Sequence, residues 1–147
     1  MEAASQLQSR FGHVDGGTIL LVEDDHSARE ALHEILNHAG YSVLPAENGK
    51  RALESVEATG AWPRLILLDL AMPVMDGVTF LSEVPRYAKL ARVPVIVMSG
   101  DSKASRLRSE RAGNVMEVLA KPVDLSRMME LVKRHAVGHH HVPSDGR

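Results

Sequence analysis

Residues 64–77 read R-L-I-L-L-D-L-A-M-P-V-M-D-G. An unbroken apolar run at 65–68 delivers one carboxylate, Asp69, and a loop follows at once with Pro73 and the turn pair Asp76-Gly77. A run so short and so apolar reads as a strand buried on both faces, which is the mark of a parallel sheet. A carboxylate at the C-terminal end of such a strand stands where open α/β sheets bind ligands and carry chemistry. The competing reading is that Asp69 only caps the loop behind it. The flanking sequence decides between the two.

Upstream, residues 18–22 form another apolar run, and it ends in Glu23, Asp24 and Asp25. From His26 the period becomes helical: Ala28, Leu32, Ile35, Leu36 and Ala39 share a face, and Gly40 is a stop signal. Residues 41–45 alternate as a second strand. Asn48 then caps a helix whose inner face is Ala52, Leu53 and Val56, ended by Gly60. Downstream, Val78, Phe80, Leu81 and Val84 predict a third helix, cut off at Pro85. Residues 93–98 make another apolar strand that delivers Ser99, Gly100 and Asp101. A helix over 102–111 carries a thin apolar stripe, Ala104 and Leu107, among the basic residues Lys103, Arg106, Arg108 and Arg111. Residues 115–120 are the fifth strand and deliver Lys121-Pro122. Asp124 caps a last helix with Leu125, Met128, Leu131, Val132 and Ala136 inward, stopped at Gly138. This βα alternation with tight connections predicts an α/β fold, a doubly wound parallel sheet with helices on both faces and right-handed crossovers.

At 147 residues the chain suits one domain with a real core. Residues 1–17 are polar and rich in small residues, which predicts a flexible leader. The tail, 138–147, is polar and holds His139, His140 and His141; it reads as an untethered terminus rather than a metal site. No output domain is expected after residue 137. A net charge of −2 argues against nucleic-acid binding as the main activity. The chain has no cysteine, which excludes disulfides, thiolate metal sites and a Cys nucleophile. No apolar run reaches the roughly 18 residues of a spanning helix, and the N-terminus lacks the core of a signal peptide. A cytoplasmic protein with no membrane contact is the expectation.

In a parallel sheet every strand ends at the same edge. Strand one then presents Glu23 and Asp24, strand three Asp69, strand four Ser99 and strand five Lys121. With strands one and three adjacent and strand two outside, the winding reverses between them, and the acids meet at that switch point. Ionised carboxylates 4 Å apart repel by about 4 kcal/mol at an effective dielectric near 20, so one stays protonated or a cation binds. Hard oxygens without His or Cys select Mg²⁺. Asp69 can attack phosphorus, and the metal, the Lys121 ammonium and the Ser99 hydroxyl can hold the phosphoryl oxygens. Singly, each residue has a plainer use: the acids answer a helix dipole, which is the role expected of Asp25, Ser99 caps a helix, and Lys121 is solvated. The joint spacing favours the site.

The motifs V-E-D-D, L-L-D-L-A-M-P-V-M-D-G, V-I-V-M-S-G and L-A-K-P resemble the receiver domain of two-component response regulators, over residues 18–137. The resemblance implies a flavodoxin-like five-stranded sheet in the order 2-1-3-4-5. It implies a phosphoryl group moved from a sensor histidine kinase or histidine phosphotransfer protein onto Asp69. It assigns Mg²⁺ to Asp24, Asp69 and the backbone carbonyl of Ala71, with Glu23 acting through a metal-bound water. Ser99 falls on the hydroxyl switch residue and Lys121 on the phosphate-contacting lysine, with a cis Lys121-Pro122 bond. A downstream protein target is implied on the face of helix 4, strand 5 and helix 5. Two departures bear on signal transmission: three residues before the lysine the family usually has an aromatic, and here stands Val118, and the usual Gly-Ala-Asp-Asp approach to strand five is replaced by Gly113-Asn114-Val115-Met116-Glu117. Two other functions stay open. A Mg²⁺-dependent phosphohydrolase with an Asp nucleophile usually has a second Asp two residues on, and position 71 is Ala. A phosphorylation-independent scaffold would leave the acids, Ser99 and Lys121 idle.

Overall fold

The computed structural model describes residues 17–72, 74–109 and 114–136. The elements are β1 (Thr18–Val22), α1 (His26–His38), β2 (Ser42–Ala46), α2 (Gly49–Thr59), β3 (Leu65–Asp69), α3 (Gly77–Glu83), β4 (Val95–Ser99), α4 (Arg106–Ser109), β5 (Val115–Ala120) and α5 (Leu125–Ala136). All strand pairs are parallel, in the order β2-β1-β3-β4-β5. This is the doubly wound sheet expected from the sequence.

Strand periodicity divides the core into two layers. Leu20, Val22, Ile66, Leu68, Val95 and Val97 face one side, against Ala52, Leu53 and Val56 of α2 and Phe80 and Leu81 of α3. Ile19, Leu21, Leu65, Leu67, Ile96 and Met98 face the other, against Leu32 and Leu36 of α1 and Met128, Leu131 and Val132 of α5. β3 and β4 are buried along their whole length, and each such aliphatic side chain contributes about 1.5–3 kcal/mol on burial. That burial holds the strand ends, and whatever they carry, in one rigid frame.

The caps follow the sequence. Asp25 begins α1, its carboxylate accepting the Ala28 N–H at 2.8 Å. Asn48 accepts the Arg51 N–H, and Gly60 ends α2 with φ 70°. Asp76 caps α3 through the Thr79 N–H. Asp124 accepts the N–H groups of Ser126 and Arg127 at the start of α5.

Several boundaries differ from expectation. Tyr41 lies before β2, because its N–H turns back to the Leu36 carbonyl. β4 starts two residues later than expected, since the Val93 N–H closes a turn on Leu90. The third helix does stop ahead of Pro85, at Glu83, and Pro85 sits in a separate 3₁₀ turn, Val84–Arg86, where its missing N–H costs nothing. Val78 and Leu125, expected inward, are exposed at the first turns of their helices. Within the described residues, the helix expected over 102–111 opens as a 3₁₀ turn, Ser102–Ser105, and continues as α4 to Ser109. Its stripe, Ala104 and Leu107, has a spacing of three, which is the 3₁₀ repeat. Arg111 lies outside the described residues.

β5 contains a bulge: Val95 pairs with Val115 and Ile96 with Glu117, so Met116 is an extra residue and is exposed. Just before it, Asn114 has φ 64° and its side-chain amide donates to the Ala91 carbonyl. At the opposite edge, β2 bonds β1 through the Ser42 N–H to Gly17 and the Ala46 carbonyl from Glu23. Gly17, assigned to the leader on sequence, thus already bonds the sheet. The rest of the leader, residue 137 and the tail with its histidines lie outside the described residues. Lys121-Pro122 is cis, as expected. Among the described residues no helix is long and apolar enough to cross a membrane.

Candidate functional site

The parallel strands bring the expected residues to one edge. Asp69 is the last residue of β3 and Ser99 the last of β4, while Glu23 and Asp24 follow β1 and Lys121 follows β5. Glu23, Asp24 and Asp69 each present a carboxylate oxygen within 4.8 Å of the others. Glu23 and Asp69 are each 2% exposed, and Asp24 lies open at the rim. Lys121 Nζ is 3.1 Å from Asp69 Oδ1 and 3.7 Å from Glu23 Oε1.

Local backbone geometry holds these groups in place. The Ala71 N–H donates to Asp69 Oδ1 at 3.3 Å, and the Asp25 N–H donates to Glu23 Oε2 at 3.1 Å. Gly77 lets α3 start against the end of β3: a Cβ there would lie 2.7 Å from Leu70 Cα and 3.1 Å from the Asp69 carbonyl. The Ser99 hydroxyl accepts the Asp101 N–H at 2.9 Å, and the Ser99 carbonyl accepts the Lys121 N–H. Ser99 is therefore at the site edge, with its oxygen bonded into the loop that follows.

Three carboxylates against one ammonium leave excess negative charge. Burial, reinforced by the Asp69 charge, pushes the Glu23 carboxyl up to about 7 against the bonds that favour ionisation. Asp24 is raised too, by desolvation and then by Asp69. For Lys121, burial alone lowers the ammonium, but Asp69, Glu23 and Asp24 outweigh it and hold the group above its usual range. A cluster of oxygen donors carrying unbalanced charge is the donor chemistry of a metal site, and these residues can hold one ion.

The raised Glu23 has a consequence for the metal-free protein. The unfolded chain ionises this group from its ordinary 4.5, whereas the folded protein resists until about 7. Stability from this group is complete below 4.5 and is lost as pH rises through about 7, by up to about 3 kcal/mol. Thermal melts in a chelator between pH 5 and 8 should show falling stability. Glu23→Gln should flatten that slope, and an unchanged slope would refute the assignment.

Sequence reasoning missed Arg29. Its Nη1 donates to the Glu23 carbonyl at 2.8 Å and the Asp24 carbonyl at 3.4 Å, and its Nη2 donates to His26 Nδ1 at 3.2 Å. The signal was available: helix side chains lean toward the N-terminus, so a long cation one turn into α1 reaches back over the loop.

A family model described as response regulator receiver domain matches residues 19–133. The chain belongs to this family. As a receiver it is 32% identical over 117 residues to the sporulation initiation phosphotransferase F of Bacillus subtilis, covering 80% of this chain and 91% of that one. It is 35% identical over 117 residues to the sensor histidine kinase CheAY of Helicobacter pylori, covering 79% of this chain but only 14% of the kinase. Among solved structures, the Vibrio cholerae chemotaxis protein CheY4 superposes with a TM-score of 0.72 at 26% identity, covering 81% of this receiver and 98% of that chain. The fold of the receiver, its sheet order and its place in two-component signalling thus agree with the sequence reading.

Proposed function

We propose that this receiver, residues 18–137, accepts a phosphoryl group on Asp69 from a histidine of a sensor kinase or phosphotransfer protein, and signals through a protein partner. The observation that carries the reading is Lys121 Nζ at 3.1 Å from Asp69 Oδ1, beside two further carboxylates. An Asp69 oxygen forms a bond to phosphorus as the donor's N–P bond breaks, and the electron pair returns to the histidine nitrogen. Lys121 offsets negative charge as the phosphoryl group settles between it and the β4 end. Asp24, Asp69 and the Ala71 carbonyl would hold Mg²⁺, with Glu23 acting through a metal-bound water. When bound, Mg²⁺ supplies charge neutralisation to the transferring group. The same groups would act in self-catalysed dephosphorylation. The cytoplasm, where ATP charges kinase histidines, is the compartment that suits this role.

The test is incubation of the protein with acetyl phosphate and Mg²⁺. One base-labile phosphoryl mass per chain is expected, and none in excess chelator. No mass gain, or a gain indifferent to the chelator, refutes the reading.

Signal output follows from Ser99. Its oxygen accepts the Asp101 N–H, and its hydroxyl hydrogen can donate to a phosphoryl oxygen. Movement of the hydroxyl toward the phosphoryl group pulls on the loop, because Asp101 in turn holds the Lys103 N–H. Val118 is half-buried against Val97, with one stiff torsion and no ring to swing. The output change therefore runs through residues 99–112 and reaches the face of α4, β5 and α5 from that side. Amide shifts on adding beryllofluoride should be largest at 99–112 and modest at Val118; larger changes at Val118 and along α5 would contradict this route.

A further inference from the structure

We infer that Arg29 is a positioning residue for the cation site, an inference that rests on the metal reading above. The two acids after β1 lie on a three-residue connection between Val22 and His26. Two successive carbonyls of that connection, those of Glu23 and Asp24, accept from one guanidinium nitrogen of Arg29. The other nitrogen holds the His26 ring at the first residue of α1. Fixing two neighbouring peptide planes fixes the direction in which the side chain between them, that of Asp24, leaves the backbone. The plane before Glu23 is already held by the sheet, through the Glu23 N–H on the Ala46 carbonyl, so Arg29 completes the frame of both acids. The turn is closed from its other side by the Asp25 N–H on Glu23 Oε2, whereas the Asp25 carboxylate points away from the site to the Ala28 N–H of α1.

The charge of Arg29 works against this use, and that makes the inference testable. A guanidinium beside the loop repels an incoming divalent ion, so its loss should tighten Mg²⁺ binding if only Coulomb forces matter. If the fork holds the ligands in place, its loss weakens binding instead. The two accounts differ in sign.

The experiment is calorimetric titration of the full chain with MgCl₂. Arg29→Gln is expected to weaken Mg²⁺ about tenfold, the scale typical of removing a group that orients metal ligands. Arg29→Lys keeps the charge but cannot bridge both carbonyls and the ring, so it should weaken binding as well. Asp25→Ala is the control for a damaged helix start: it should lower the melting temperature while leaving Mg²⁺ affinity within about twofold, since it keeps the loop's backbone bonds. Wild-type or tighter affinity in Arg29→Gln, or full affinity in Arg29→Lys, overturns the inference and leaves the metal reading standing. A wild-type protein that does not bind Mg²⁺ removes both.

Discussion

Asp69→Asn is expected to reduce phosphorylation by acetyl phosphate to background. The carboxamide keeps the size and shape of the side chain but offers no anionic oxygen to attack phosphorus. It also places an amide beside Lys121, where the native oxygen is 3.1 Å from the ammonium. The loss should not arise from unfolding. Removing one of three clustered carboxylates relieves repulsion in a buried setting, so the metal-free variant should melt no lower than the wild type. Intact mass and melting curves on the same sample separate the two effects. Undiminished labelling of the variant would mean another residue accepts the phosphoryl group.

Asp24→Ala carries the second large effect. Asp24 is the rim carboxylate of the cluster, and its pKa is raised by desolvation and by Asp69, as expected of a group pressed against a like charge. Without it the site keeps Glu23 and Asp69 but loses one of the oxygens proposed to hold the metal directly. Mg²⁺ affinity and the phosphorylation rate should fall together, each by an order of magnitude or more. Its neighbour Asp25 points to the helix start instead, with its carboxylate on the Ala28 N–H. Magnesium titrations of the two variants side by side are the check. A large loss in Asp25→Ala and none in Asp24→Ala would invert the order of ligand and cap at the end of β1.

The sheet and most of the site were legible for a common reason. Strands buried on both faces, such as β3 and β4, cannot carry polar residues by chance, so Asp69 and Ser99 at their ends stand out. Caps were legible where a side chain bonds its own neighbourhood, as at Asp25, Asn48 and Asp124. What escaped depends on contacts that no period encodes. The start of the segment expected as a helix has helical composition, but the Ser99 and Asp101 side chains bond the loop N–H groups and favour the tighter 3₁₀ turn at Ser102–Ser105. Arg29 binds carbonyls, which every residue has, so its partners leave no trace in residue type. The extra residue at Met116 shows only once β5 is laid against β4.

The two edges of the sheet limit how this protein can meet another. In β2, Ser42 and Ala46 turn their backbone groups toward β1, so by alternation Val43 and Pro45 face outward. Pro45 has no N–H, and that edge has lost a donor that an added strand would need. At the far edge the bulge at Met116 breaks the regular spacing of β5. Both edges are blunted against strand addition, so continuation of the sheet by a second copy or by an extended peptide is disfavoured. Association through helices and loops is the alternative, and the loop after Ser99 is the one through which the proposed output runs.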